Sequence, residues 1–251
     1  MTLTPELKKQ IDDYFESLTP EELDEKLTML GIEDETDDDR KFKALSEHII
    51  TTFAYGSEVY GTVTPHSDID TVVIVDDEID LSDSTNGIWE YKKDKEDYQF
   101  INESRLIEMV KAHHIVALEM LSLPEDKIFY GSVEKYRQYF HLDNWKLRQV
   151  ISSIASNAWA KAHKKMTVEK DYDLYRGQKS LFHSLRVFVF GIQIARDGKI
   201  TDYSAANKYW DEIYAMGECG WETYKEKYRS VSNALRTEFI KYCPKPLENN
   251  K

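Results

Sequence analysis

Cysteine, proline and glycine are scarce in this chain, and long apolar runs are missing. Two cysteines among 251 residues, Cys219 and Cys243, cannot form a disulfide framework or, by themselves, a zinc site. With 10 glycines and 6 prolines, the composition excludes collagen-like and low-complexity proteins. No apolar run approaches the roughly 18 residues of a membrane-spanning helix, and the first residues lack the basic and apolar regions of a signal peptide. We therefore expect a soluble, cytoplasmic protein with no membrane contact.

Basic residues are also in deficit, with 33 Lys and Arg against 46 Asp and Glu and a net charge of −13. Proteins that track duplex DNA are usually basic, so we expect no extended duplex DNA as a partner. The charge is unevenly spread, because acids dominate residues 1–50 whereas bases outnumber acids between residues 134 and 199. A local basic face of this kind can hold a phosphate-bearing ligand.

The apolar patterns place strands early in the chain and helices late. Residues 50–55 and 71–75 are short β-branched and aromatic runs typical of strands, and residues 88–101 read as a hairpin. From about residue 104 the periodicity indicates one helix after another. Before the strands, start signals predict helices from Thr4 and Thr19, a solvated acidic loop over 33–40 and a helix from about Lys41. We predict an α/β (α+β) fold, with an acidic helical extension over 1–40, a small mixed-sheet domain over 41–130 and a helical domain over 131–251.

The chemistry-bearing segment runs from the end of the first strand to the start of the second. Gly56-Ser57 follows one strand, and a glycine followed by free amides and a hydroxyl can approach phosphate oxygens closely. Asp68 and Asp70 stand two residues apart at the mouth of the next strand, so both carboxylates point to one face. Carboxylate oxygens are ligands that Mg²⁺ selects. Two such ions can clamp an in-line displacement at phosphorus.

Gly56-Ser57, Gly61 and the run Ser67-Asp68-Ile69-Asp70 resemble the motif of the DNA polymerase β-type nucleotidyltransferase superfamily, and most closely its stand-alone bacterial and phage members. The resemblance covers roughly residues 50–199. It implies that the domain over 41–130 is catalytic and has a third carboxylate on a later strand, where Asp97 stands. It also implies that Asp68, Asp70 and Asp97 are catalytic and bind metal, and that Gly56, Ser57 and Ser67 bind the nucleotide. Three glutamates compete with Asp97 for the third position: Glu90, Glu96 and Glu103.

Lys179, His183 and Arg186 lie at i, i+4 and i+7 of one predicted helix and therefore share one stripe. Three potential cations beside an apolar stripe suit the oxygens of a triphosphate, and the stripe resembles a helix of the same superfamily. A solvated helix face is the alternative. Two interpretations are also open for a group of three lysines, Lys161, Lys164 and Lys165. They contact the acceptor, or they form a solvated helix face.

Together these features predict transfer of a nucleoside monophosphate from a nucleoside triphosphate (NTP) to an acceptor hydroxyl, with release of pyrophosphate. The expected cofactor is Mg²⁺, as two ions, with Mn²⁺ as the substitute. Three classes of acceptor fit the sequence: an RNA or tRNA end, a small molecule and a protein. The alternative function is a non-catalytic nucleotide sensor or antitoxin-like partner, which the intact acidic pair argues against.

Overall fold

The computed structural model describes residues 36–81 and 84–246, together with Lys9, Thr19 and Glu22. The chain divides into two compact units, residues 1–47 and 48–251. Nearly all of the two helices predicted between residues 4 and 30 lies outside the described residues. The domain boundaries predicted at residues 40 and 130 stay predictions.

Helix α1 of the first unit spans Asp37–Ser46, so the predicted loop over 33–40 is wrong from Asp37 onward. The helix begins with a capping box, in which the Thr36 hydroxyl accepts from the Asp39 amide and the Asp39 carboxylate accepts from the Thr36 amide. The acidic run is therefore a helix start and not only a solvated stretch, since carboxylates are favourable in the first helical turn.

A mixed sheet lies in the second unit, as predicted, and it has five strands. The strands are β1 (Ile49–Tyr55), β2 (Ile69–Val75), β3 (Ile88–Lys93), β4 (Glu96–Asn102) and β5 (Ile128–Tyr130). Their order is β3-β4-β2-β1-β5, with β2 and β4 parallel and the other neighbours antiparallel. Strand β5 was not predicted, because a run of three residues is too short to show a period.

The strand register brings the predicted acidic residues to one end of the sheet. Asp70 pairs with Tyr55 on one side and with Asp97 on the other. Between β1 and β2 the chain forms the short helix α2 (Ser57–Tyr60), flanked by Gly56 and Gly61 with φ of 69° and 71°. The turn after β1 therefore lies beside the carboxylates at the start of β2.

Six further α-helices follow β4 in the described residues, and the four from Asn144 onward confirm the predicted helical C-terminal region. The six are α3 (Glu103–Lys111), α4 (Ile115–Met120), α5 (Asn144–Thr167), α6 (Leu174–Asp197), α7 (Asn207–Ala215) and α8 (Trp221–Tyr242). Asp143 and Asp173 cap the starts of α5 and α6 by accepting backbone N–H groups. No helix within residues 36–81 and 84–246 has the length and apolar character needed to cross a membrane.

The apolar core of the second unit is continuous from the sheet into the long helices. One cluster joins Phe53 and Val72 of the sheet to Ile151 of α5 and Phe190 of α6. A second cluster packs α5 and α6 against α7 and α8 around Leu181, Trp210, Trp221 and Tyr224. Shared packing of this kind fixes the stripe of α6 relative to the sheet edge.

Candidate active site

A cleft of about 560 Å³ opens between the end of β1, the start of β2 and the helices α5 and α6. Its sheet side is formed by Tyr55, Gly56, Ser57, Tyr60, Thr62 and Asp70. Its helical side carries the cations together with aromatic and small side chains: Ile154, Asn157, Ala158, Lys161, Arg176, Lys179, Ser180, Phe182, His183, Arg186 and Trp210. One acidic group thus faces several basic ones across a concave surface.

Gly56 is required where it stands because the backbone passes directly against Asp70. A Cβ atom at this position would lie 2.0 Å from Asp70 Oδ2, and φ is 69°. The next residue, Ser57, is buried, and its Oγ has no hydrogen-bond partner among the described residues. A buried hydroxyl without a partner is costly, so this turn presents an unused donor to the cleft.

The three predicted metal-binding carboxylates lie within electrostatic reach of one another. Burial raises the pKa of Asp70 to about 6; Lys179 lowers it, and the charges of Asp97 and Asp68 raise it. Asp68 is exposed just before β2, whereas Asp97 is half-buried in β4. Only Asp70 of the three lines the cleft.

The register favours Asp97 over the three competing glutamates. Asp97 stands directly beside Asp70, and its Oδ1 is buried with no hydrogen-bond partner in the described part of the chain. Glu103 accepts from the Tyr136 hydroxyl at 2.9 Å and pairs with Lys135. Glu96 accepts from Tyr98, and Glu90 is exposed opposite Gln99.

No closed ligand set is preformed at the predicted metal site. Within residues 36–81 and 84–246, three potential metal donors come within 4.8 Å of one another only at His48, Asp76 and Glu78. That group follows the opposite end of β2, remote from Asp70. Asp97 instead pairs with Lys92, its neighbour across the β3–β4 hairpin.

All three residues of the predicted α6 stripe line the cleft, but only two of them are cations. Burial, with the charges of Arg186 and Lys161, lowers the pKa of His183 to about 3. Arg186 donates to His183 Nδ1 at 3.0 Å. Because guanidinium can only donate, the ring proton of the neutral histidine lies on Nε2. The expectation of three cations is therefore wrong at His183.

Arg186 is itself buried in the cleft wall. Its Cζ lies 3.4 Å from the centre of the Tyr60 ring, and its Nε has no hydrogen-bond partner among the described residues. Lys179 is exposed, with its Nζ 5.5 Å from the ring of Tyr175. The two cations thus differ, one fixed by packing and the other free to follow a ligand.

Several residues fall outside their predicted places or were missed. Ser67 does not line the cleft, and its Oγ accepts from the Thr64 amide at 2.9 Å within a turn.

Lys161 lines the cleft, whereas Lys164 and Lys165 pair with Asp171. The sequence carries a signal for this difference, since Ile154, Ala158 and Lys161 stand at i, i+4 and i+7, the same spacing as the α6 stripe. The following site residues were not predicted: Tyr60, Thr62, Asn157, Arg176 and Trp210.

Residues 39–144 match the family model described as a nucleotidyltransferase domain. The chain therefore carries a nucleotidyltransferase domain of the DNA polymerase β-type superfamily, which confirms the resemblance seen in the motif. It is accordingly an enzyme of the nucleotidyltransferase class.

Two solved structures are similar in outline. Spectinomycin adenyltransferase from Enterococcus faecialis, crystallised with ATP and spectinomycin, is 13% identical, with 81% of this chain and 98% of that chain covered and a TM-score of 0.40. A nucleotidyltransferase-like protein from Exiguobacterium sibiricum is 11% identical, with 82% and 78% covered and a TM-score of 0.30. Neither likeness is close enough to indicate a substrate. No curated protein sequence matches the chain significantly.

The contact between Gly56 and Asp70 predicts a sharp effect of one methyl group. Gly56→Ala should lower nucleotidyl transfer roughly 100-fold or more, because the Cβ displaces the Asp70 carboxylate. Gly198→Ala is the control, since Gly198 also has positive φ (74°) but open space around its Cβ. The control should lose stability and keep its activity; equal activity losses in the two variants would contradict this account.

The neutral state of His183 predicts a pH-dependent stability. Between the ordinary histidine pKa near 6.5 and the folded value of about 3, the unfolded chain binds one more proton at this residue, so acid destabilises the fold. From pH 7 to pH 5 the wild type should therefore lose up to about 2 kcal/mol more than His183→Asn. Urea unfolding of both proteins at each pH measures this difference, and parallel losses would show that the pKa of His183 is not lowered in the folded protein.

Proposed function

We propose that the enzyme transfers a nucleoside monophosphate from an NTP to an acceptor hydroxyl and releases pyrophosphate. The observation that carries this proposal is the placement of Asp70 against Gly56 and Ser57, opposite Lys179 and Arg186 in one cleft. This arrangement offers oxygen ligands at one wall and cations at the other, as an NTP bound with a divalent metal requires.

Unsatisfied polar atoms around this cleft support the same assignment. Ser57 Oγ and Arg186 Nε are donors, Asp97 Oδ1 is an acceptor, and none of them has a hydrogen-bond partner among the described residues. Phosphate oxygens would satisfy both donors, and a metal ion or its water would satisfy the acceptor. The residues present therefore fit both groups.

Asp68, Asp70 and Asp97 would hold Mg²⁺, as two ions, with Mn²⁺ as the substitute. When bound, the metal would supply polarisation of the α-phosphate and a lower pKa of the acceptor hydroxyl. Asp97 would exchange its pairing with Lys92 for this role. Ser67 has a weaker claim to a part in binding, since its hydroxyl is engaged in the Thr64 turn.

The chain's own side chains would orient the nucleotide. Ser57 and the amides after Gly56 would bind the β- and γ-phosphates, while Lys179 and Arg186 would stabilise the charge that leaves with pyrophosphate. His183, neutral and fixed by Arg186, would hold that guanidinium in place and could donate only from Nε2. Lys161 and Arg176 extend the basic wall along the cleft.

For the acceptor we propose a hydroxyl on a small molecule rather than an RNA end. Lys164 and Lys165, which could have extended the basic surface outward, are paired with Asp171. The net charge of −13 disfavours a long polyanion. A cleft of about 560 Å³ also lies within the range typical of small-ligand sites.

Removal of either carboxylate at the start of β2 should abolish transfer. Asp68→Ala or Asp70→Asn should lower Mg²⁺-dependent pyrophosphate release from an NTP by roughly 1,000-fold, since positioning and electrostatics carry most of the rate. Asp76→Asn is the matched control, because Asp76 follows the opposite end of the same strand and bonds to His48. Turnover retained in either first variant, with unchanged Mg²⁺ dependence, would refute the assignment.

A nucleotide sensor would behave differently from an enzyme in two measurements on the same sample. Calorimetric titration with each NTP and Mg²⁺ reports binding, and a pyrophosphate assay with candidate hydroxyl compounds reports turnover. Binding without release under every acceptor tested would favour the sensor.

The salt dependence of RNA binding separates the acceptor classes. For a small-molecule acceptor, the affinity for a short RNA or tRNA should be weak and should change little with salt. An RNA acceptor held by several phosphate contacts would instead lose roughly 1,000-fold in affinity or more between 50 and 200 mM salt. Such a steep loss would overturn the small-molecule assignment.

A further inference from the structure

A carboxyl group that the proposed chemistry does not use is buried behind the cleft wall. Glu119 lies on α4 with 1% of its surface exposed, and its Oε2 accepts from the Tyr60 hydroxyl at 2.7 Å. Tyr60 in turn lies in the turn that follows β1. Burial of a carboxyl group in an apolar core is costly, so its presence here calls for a role.

Tyr60 connects the turn after β1 to the helices α4, α6 and α7 through three different groups. Its hydroxyl donates to Glu119, its ring stacks under the Arg186 guanidinium at 3.4 Å, and its carbonyl accepts from Asn207 Nδ2 at 2.7 Å. Its backbone amide also bonds to the Gly56 carbonyl at 3.2 Å. Any shift of this ring would therefore move both the guanidinium and the turn that carries Ser57.

Tyr60 is the nearest of three aromatic rings around the Arg186 guanidinium, with its centre 3.4 Å from Cζ against 5.3 Å for Phe182 and 5.6 Å for Phe190. Among the described residues no carboxylate lies within ion-pair distance of its guanidinium, and its one hydrogen bond goes to His183 Nδ1. Stacking on an aromatic ring fixes a guanidinium in a plane and leaves its edge free to donate. The position of the Tyr60 ring thus sets where the free edge of Arg186 points.

We propose that Glu119 is a positioning residue of the nucleotide site, which through Tyr60 holds Arg186 and the Gly56–Ser57 turn in the arrangement that binds a triphosphate. This inference rests on the proposed function for the identity of the ligand. Glu119 does not touch the cleft, so it acts through other residues.

The electrostatics agree with this placement. Burial raises the pKa of Glu119, whereas the charge of Arg186 and hydrogen bonds from Tyr60 and Tyr55 lower it. Either protonation state offers an oxygen to the Tyr60 hydroxyl, so the positioning role does not depend on titration.

The test measures the affinity for inorganic tripolyphosphate with Mg²⁺, which reports triphosphate binding without turnover. Glu119→Ala should weaken this affinity roughly tenfold, while Glu119→Gln, which keeps an acceptor for Tyr60, should stay within about threefold of wild type. Leu118→Ala is the matched control on the same helix: Leu118 is buried at 2% exposure and does not line the cleft. It should lower the melting temperature and leave the affinity unchanged.

A double-mutant cycle shows whether Glu119 acts through Arg186. In an Arg186→Ala background, adding Glu119→Ala should change the affinity by less than about threefold, because the group that Glu119 positions is gone. Full additivity, or an unchanged affinity in Glu119→Ala alone, would overturn the proposal. Should Glu119→Ala fail to fold by circular dichroism, Tyr60→Phe removes the same hydrogen bond while keeping the ring. It should weaken binding in the same direction, and wild-type affinity in that variant would overturn the proposal.

Measurements on the wild type and on Glu119→Ala distinguish a failure of this inference from a failure of the proposed function. Tripolyphosphate binding that is sensitive to Glu119→Ala, without pyrophosphate release from any NTP, would refute the transfer reaction and support the positioning role. Pyrophosphate release from an NTP, together with a tripolyphosphate affinity that Glu119→Ala does not change, would support the transfer reaction and refute the positioning role. Absence of tripolyphosphate binding to the wild type would refute the nucleotide site and this inference with it.

Discussion

The close approach of the backbone at Gly56 to the carboxylate of Asp70 is the constraint on which the site depends. With only 2.0 Å between a hypothetical Cβ and Asp70 Oδ2, no other residue fits without moving the acid. The pairing of Tyr55 with Asp70 favours this approach, because it brings the end of β1, where the turn begins, beside the start of β2. A phosphate bound at Ser57 would therefore lie beside the Asp70 carboxylate, because the strand register brings the two residues together.

Much of this arrangement could be predicted from the sequence, because it depends on local patterns. Strand periodicity and the Gly-Ser and Asp-x-Asp motifs determine which groups stand at the ends of β1 and β2. The sequence left Asp97 in competition with three glutamates, and the register places Asp97 directly beside Asp70. No local pattern carries that information, since cross-strand pairing is set by the whole sheet. The helical spacing of Lys179, His183 and Arg186 correctly predicted a shared stripe, and all three line the cleft.

What could not be predicted depends on tertiary burial. The charge of His183 is lost because Arg186 and the core surround it, and no local pattern carries that information. No sequence signal distinguishes Glu119 from an ordinary helical glutamate, yet the packing of α4 buries its side chain against Tyr60. The acidic run before Lys41 was misread because capping depends on one threonine placed before the helix.

The distribution of charge would allow this acidic protein to bind the anion that the proposed function requires. At a net charge of −13 the long-range field repels an NTP, and salt screens that field beyond about 10 Å. Attraction must therefore come from contacts inside the cleft, where water is partly excluded and each cation acts more strongly. In the described part of the chain, Lys161, Lys179 and Arg186 form no ion pair, whereas Lys164 and Lys165 outside the cleft do. Of the cations in the cleft, Arg176 is paired with Asp173, so the three unpaired ones would hold an anion at the wall opposite Asp70.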